Sequence, residues 1–243
     1  MARKRRQPAR KSPRGSARRW ILRVAALAVL VAIAFAGWLW WDMREWRPDE
    51  TLYPEQGAVA PVGGAVKFET LRAIGARFVY LPLVLEPAAN APGGFADRFS
   101  RARAEGLQVG VVLNFDPCAP ADLQSGVFAQ MVPRDPDLLP PAIGLMRLAD
   151  SCAPAVSDAA VESELMTLIN QIEMHAGKPV ILKLSRGFEQ RHNTAAALQR
   201  DLWLMRDRAR PDYAGRPWLL WSGNSALVTA ASEEPIEWVV VQK

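Results

Sequence analysis

The chain has 243 residues, half of them hydrophobic, and a formal net charge of +5. Ten basic residues (Arg3, Lys4, Arg5, Arg6, Arg10, Lys11, Arg14, Arg18, Arg19 and Arg23) fall within the first 23 positions with no acid among them, so the remainder carries −5. A folded part of that sign has no field to gather phosphate backbones, which excludes nucleic acid as its partner, and the length admits one ordinary domain plus an anchor.

Residues 1–19 read as a basic cytoplasmic tail and residues 20–41 as a transmembrane helix. Val24 to Trp41 is an uninterrupted apolar or small run of 18 residues. With Trp20, Ile21 and Leu22 before it, the run is long enough for a hydrocarbon core of roughly 30 Å. Trp38, Trp40 and Trp41 stand at its end, where indole rings favour the interface. Residues 42–50, a polar stalk, hold two basic and four acidic residues. The positive-inside bias then predicts a single-pass protein of the cell (inner) membrane, N-terminus cytoplasmic, with a periplasmic or extracellular domain over 51–243. A cleaved signal peptide is the competing reading, since Ala34-Phe35-Ala36 has the small-x-small pattern and Arg18-Arg19 is similar to a twin-arginine signal. Both readings export the domain. Cys118 and Cys152 are the only cysteines; the compartment favours a disulfide over two separate buried thiols.

Along the domain, short apolar runs alternate with helical patterns. Phe78–Leu85, Leu107–Phe115, Leu138–Met146, Pro179–Leu184, Leu202–Met205, Trp218–Trp221 and Trp238–Val241 suit strands buried on both faces of a parallel sheet. Phe68–Ile74 and Phe95–Ala104 read as helices closed by Gly75 and Gly106. Ser157 to His175 gives the strongest helical signal. Ser157 is a good N-cap, Val161, Leu165, Leu168, Ile169 and Ile172 form one stripe, and Gly177 ends it. The alternation predicts an α/β fold, a barrel or an open sheet, whose last part is mostly β. There is no Gly-rich phosphate loop and no zinc-type Cys/His spacing, so no cofactor and no metal is expected.

At this point the chain resembles the glycoside hydrolase family 25 lysozymes. Tyr53-Pro54-Glu55-Gln56-Gly57 sits where that family opens its first strand, and Phe68 through Tyr80 is similar to its first helix running into strand two. Ala104-Glu105-Gly106-Leu107-Gln108-Val109-Gly110 resembles its entry to strand three. Leu139-Pro140-Pro141 is similar to the motif before its catalytic strand, and Gly177-Lys178-Pro179-Val180-Ile181 to its fifth. Asp201-Leu202-Trp203-Leu204, Pro217-Trp218 and Trp221 resemble its late segments. The resemblance covers about residues 51–243. It implies an irregular TIM-like (β/α) barrel of about five β/α units closed by β-rich C-terminal strands. It also implies peptidoglycan glycan strands as the partner, with any protein partner unknown.

That family hydrolyses the β-1,4 bond after N-acetylmuramic acid with an Asp-x-Glu on strand four, two residues apart so that both face the barrel mouth. Here Gly144 and Met146 occupy those positions. The first-strand Asp aligns near Thr51, the acidic position after strand two at Leu85 beside Glu86, and the late Asp at Glu237. Loss of the general acid alone is worth about 10²–10⁴-fold. Glu86, Asp116 and Asp150 all follow predicted strands and are the candidate substitutes, against a reading as solvated loop acids. His175, in a helix's last turn, and His192, in a polar loop, have no Ser/Asp partners for a triad. The late tryptophans read as core, with Trp221 the one left open as a sugar-stacking platform. The expected function is therefore a membrane-anchored lysozyme-like protein acting on or binding peptidoglycan, catalytically impaired. The alternatives are an active muramidase with relocated carboxylates and a non-enzymatic envelope scaffold.

Overall fold

The structure, a computed structural model, describes residues 14–85 and 94–242. It divides into two compact units, Met1–Asp42 and Met43–Lys243. The first is built on α1 (Arg14–Glu45), within which Arg19–Asp42 is long and apolar enough to cross a membrane. Its large apolar side chains, Leu27, Leu30, Ile33 and Phe35 among them, are exposed.

The second unit is an α/β barrel. In chain order it comprises β1 (Gln56–Val59), α2 (Phe68–Ala73), β2 (Phe78–Leu83), α3 (Gly94–Ala104), β3 (Gln108–Asn114), α4 (Ala121–Met131) and β4 (Ala142–Leu145). There follow α5 (Asp158–Ala176), β5 (Ile181–Leu184), α6 (Arg186–His192), α7 (Thr194–Ala197), β6 (Asp201–Met205), β7 (Leu220–Thr229) and β8 (Ser232–Val241). The strands close in sequence order. β1 to β7 run parallel, and β8 is antiparallel to both β7 and β1. This is the irregular TIM-like architecture with a β-rich close. The parallel strands deliver their C-terminal ends to one mouth.

Local chemistry explains the elements. α5 starts where the Ser157 hydroxyl accepts from the Ala160 N–H at 3.3 Å, and ends at Gly177, whose φ of 67° is left-handed. Its stripe of Val161, Leu165, Leu168, Ile169 and Ile172 is buried against the barrel wall. Burying each such side chain contributes about 1.5–3 kcal/mol. α4 has no comparable signal: it contains Ser125 and Gly126 and buries only Ala121, Gln124 and Phe128. α6 begins at Ser185, whose hydroxyl accepts from the Phe188 N–H at 3.2 Å.

Three expectations are corrected. Thr51 is not on the first strand; it lies in a turn with its N–H and hydroxyl on Asp49 Oδ1, both at 2.7 Å. The strand itself, Gln56 to Val59, carries no carboxylate. Residues 46–50 are not a free stalk. Pro48 is buried, the Trp46 carbonyl accepts from Asn224 Nδ2 at 2.8 Å, and Gln56 Nε2 donates to the Pro48 carbonyl at 3.0 Å. β7 and β8 also run well past the apolar runs at Trp218–Trp221 and Trp238–Val241, through several register shifts.

Alternation along the strands separates two cores. One lies between helices and wall; the other fills the barrel with Val59, Phe78, Tyr80, Val112, Ala142, Ile181, Trp203, Leu220 and Val239. Phe78, Tyr80 and Trp203 pack edge to face, with centroids 6.1 and 4.9 Å apart. Gly57 and Gly110 make room for two of these rings: a Cβ at either would collide with Phe78 or Tyr80.

Candidate site at the barrel mouth

Asn114, Gly144 and Lys183 are register partners on β3, β4 and β5, and all three share the inward face of the wall near its C-terminal end. Gly144 sits tightly beside Asn114: a Cβ there would collide with Asn114 Oδ1. Met146 follows one residue after β4 and is half-buried.

A buried charge pair lies across the interior. Lys183 is 5% exposed, and its Nζ donates to Glu237 Oε2 at 2.6 Å. The Ser222 hydroxyl donates to the other Glu237 oxygen, and Trp203 Nε1 donates to Ser222 Oγ at 2.7 Å. The ammonium also stands 4.6 Å from the Trp203 ring centroid. Both oxygens of this carboxylate are committed as acceptors to groups from other strands. Beneath it, burial pushes the Tyr80 hydroxyl well above the usual phenol range, and that hydroxyl donates to the Pro140 carbonyl at 3.1 Å.

The loops after β3 and β4 carry the candidate acids Asp116 and Asp150. Asp116, after β3, accepts from Arg147 Nη1 at 2.9 Å and from the Cys118 N–H at 3.0 Å on the same oxygen. Arg147 in turn donates to Ser151 Oγ at 3.2 Å. Cys118 and Cys152 form a disulfide, with Cα atoms 5.3 Å apart, that ties the loop after β3 to the loop after β4. Asp150 is exposed in a short 3-10 turn, Ala149–Ser151. Glu86 lies outside the described residues. Asp116 is thus held by a salt bridge across the braced loops, and neither it nor Asp150 is hydrogen-bonded to the Lys183–Glu237 cluster.

Trp221 is corrected. It faces outward from β7, is 3% exposed, and is covered by Trp46, Tyr53 and Trp218 at centroid distances of 6.4, 5.5 and 6.1 Å. Its indole N–H donates to the Arg206 carbonyl at 2.8 Å. It is a wall residue, unable to present a face to a sugar. His192 closes α6, and its side chain is buried; it is not in a polar loop. His175 bonds the Val132 carbonyl at 2.9 Å through Nε2.

Lys183 is the site residue that the sequence reading passed over. Its signal was present: a single charge inside the apolar strand PVILKL, which a buried position tolerates only with a partner.

The sequence matches no family model and no curated protein. Solved structures do share the fold. A family 25 glycosyl hydrolase from Bacillus anthracis superposes with a TM-score of 0.71 at 21% identity, over 82% of this chain and 93% of that one. A bacterial lysozyme from Streptomyces coelicolor gives 0.66 at 14% identity, over 78% and 92%. The spore cortex lytic enzyme SleM from Clostridium perfringens gives 0.61 at 16%, over 80% and 69%. The domain therefore has a family 25 lysozyme-like fold.

Proposed function

We propose that this protein is a membrane-anchored lysozyme-fold domain that binds peptidoglycan glycan strands in the cell envelope without hydrolysing them. The observation that carries the reading is the mouth. Gly144 and Met146 stand where the resemblance places the two acids, and Glu237, which aligns with the late family Asp, is occupied by Lys183 and Ser222. Hydrolysis needs a protonated carboxyl on one side of the bond and a second carboxylate about 5–9.5 Å away. Asp116 is paired with Arg147, Asp150 is exposed in the loop after β4, and neither is hydrogen-bonded to the Lys183–Glu237 pair. The fold's likeness to glycan-cleaving enzymes supports the ligand class. The apolar helix at Arg19–Asp42, with the basic residues before it, supports a tether with its N-terminus in the cytoplasm and the domain on the other side.

The test uses the full chain in detergent with purified sacculi. The expected result is saturable co-sedimentation with no release of reducing ends. Release that disappears in Asp116→Asn or Glu86→Gln would establish an active muramidase instead. Sedimentation no greater than that of an unrelated membrane protein would remove the binding claim.

A further inference from the structure

We propose that the loop leaving β6, residues 206–210, docks on a bilayer surface rich in anionic phospholipid headgroups and gives the tethered domain a second, charge-dependent contact with the membrane. This rests on the tether reading above and is separate from the peptidoglycan reading.

The loop is charged against the trend of the domain. The chain beyond residue 23 carries −5, yet Arg206, Arg208 and Arg210 stand within five residues beside one acid, Asp207. That acid is spent within the fold: its Oδ1 accepts from the Ser225 N–H at 2.8 Å and its Oδ2 from the Ser225 hydroxyl at 3.0 Å. The next acid, Asp212, is shared through one oxygen by Arg206 at 3.1 Å and Arg186 at 3.7 Å. Four arginines against two aspartates leave this cluster at +2. Arg206 and Arg210 are exposed. The backbone beside them is fixed, since the Arg206 and Arg208 N–H groups donate to the Ser222 and Gly223 carbonyls at 3.2 and 2.9 Å. Arg208 has a φ of 64°, a left-handed conformation that Gly or Asn adopts at less cost, so the bend of the loop is held against a backbone penalty.

Chain connectivity identifies what the loop meets. The Arg208 guanidinium lies 5.9 Å from the Trp46 ring centroid. Trp46 is fixed to the barrel: its carbonyl accepts from Asn224 Nδ2 at 2.8 Å, and its ring packs on Trp221. Pro48, two residues on, fills the space over Gly223. The membrane-crossing stretch ends at Asp42, four residues before Trp46. Four residues span at most about 14 Å when fully extended. Chain length alone therefore holds this loop close to the point where the chain leaves the bilayer. In the approach segment Asp42 and Glu45 are balanced by Arg44 and Arg47, so the loop sets the sign of the charge there. An anionic surface strengthens binding about fivefold for each Arg brought to it, and salt screens the effect.

The test places the full chain in nanodiscs of phosphatidylcholine alone, or of an equal mixture with phosphatidylglycerol, and follows backbone amide exchange by mass spectrometry. Exchange over residues 206–216 is expected to slow about fivefold or more in the anionic discs, with α5 unchanged as the control. High salt is expected to remove the difference, and so is Arg206→Gln with Arg210→Gln, both on exposed side chains. A chain that stays in the discs but exchanges alike in both lipids overturns the proposal and leaves the tether standing. A chain that elutes apart from the discs overturns the tether and the proposal with it. Slowing that survives both high salt and the double variant overturns the charge-based contact. Slowing caused by soluble muropeptides in neutral discs, and not by the anionic lipid, assigns the arginines to the cell wall and also overturns it.

Discussion

Replacing Lys183 by methionine isolates the central interaction of the mouth. Lys183 and Glu237 have side-chain exposures of 7% and 15%, with the charged atoms 2.6 Å apart. At an effective dielectric of about 20, attraction at that distance is roughly 6 kcal/mol, most of it offset by the desolvation of both ions. Removing one partner keeps the desolvation cost and loses the attraction. Only the Ser222 hydroxyl is then left on Glu237. Breaking a buried pair in this way costs about 3–5 kcal/mol. For a domain of this size that lowers Tm by roughly 6–20 °C. The assay is denaturation of the full chain followed by tryptophan emission, to which Trp203 contributes from 4.6 Å away. A double variant, Lys183→Met with Glu237→Gln, removes both charges and is expected to recover to within about 1 kcal/mol of the parent. A single variant costing under about 1 kcal/mol, or a double variant as unstable as the single, would refute the account of the mouth as a mutually dependent ion pair.

Placing acids at the end of β4 and just beyond it with Gly144→Asp and Met146→Glu is expected to give no lysis on a zymogram. The new carboxylate would collide with Asn114 and stand beside Lys183, its register partner. Adding Asn114→Ala and Lys183→Met is expected to be necessary before any clearing appears. Losing the disulfide through Cys118→Ser and Cys152→Ser opens a loop of 34 residues and should cost about 3–4 kcal/mol in denaturant melts. Glu173 gives a pH signature. Burial pushes its carboxyl up, but hydrogen bonds from Arg200 and the Val180 N–H, with the Arg200 charge, outweigh this and leave it below the ordinary value. A depressed carboxyl contributes stability that is present above its unfolded value of 4.5 and is lost as pH falls through the folded one. Glu173→Gln should therefore cost about 1–2 kcal/mol at neutral pH and flatten the acid limb of the stability curve.

Much of the fold was legible because its elements announce themselves locally. Ser157, the stripe from Val161 to Ile172 and Gly177 specify α5 without reference to anything distant. The run at Phe78–Leu83 is apolar on both faces because one face meets the interior and the other meets the helices. That same property hid the site. When both faces are apolar, sequence does not reveal which residue points inward, so Trp203 inside the barrel and Trp221 outside it read alike. Lys183 and Glu237 are 54 residues apart and meet only because the strands close. α4 escaped notice because its buried face is narrow and its composition weak. His192 sits at a helix end among polar neighbours, and its burial comes from packing against Phe188.

The glycines at 57 and 110 constrain how this interior is able to vary through descent. Each yields its own side-chain space to an aromatic ring on an adjacent strand. A larger residue at 110 is admissible only after Tyr80 has shrunk, whereas at 57 the new Cβ would meet the Phe78 carbonyl as well as its ring, so a smaller side chain at 78 is not enough. Positions 80 and 110 are thus expected to change as a couple and in a fixed order, small before large. A lineage that has settled on this filling has few single steps leading back to an open channel.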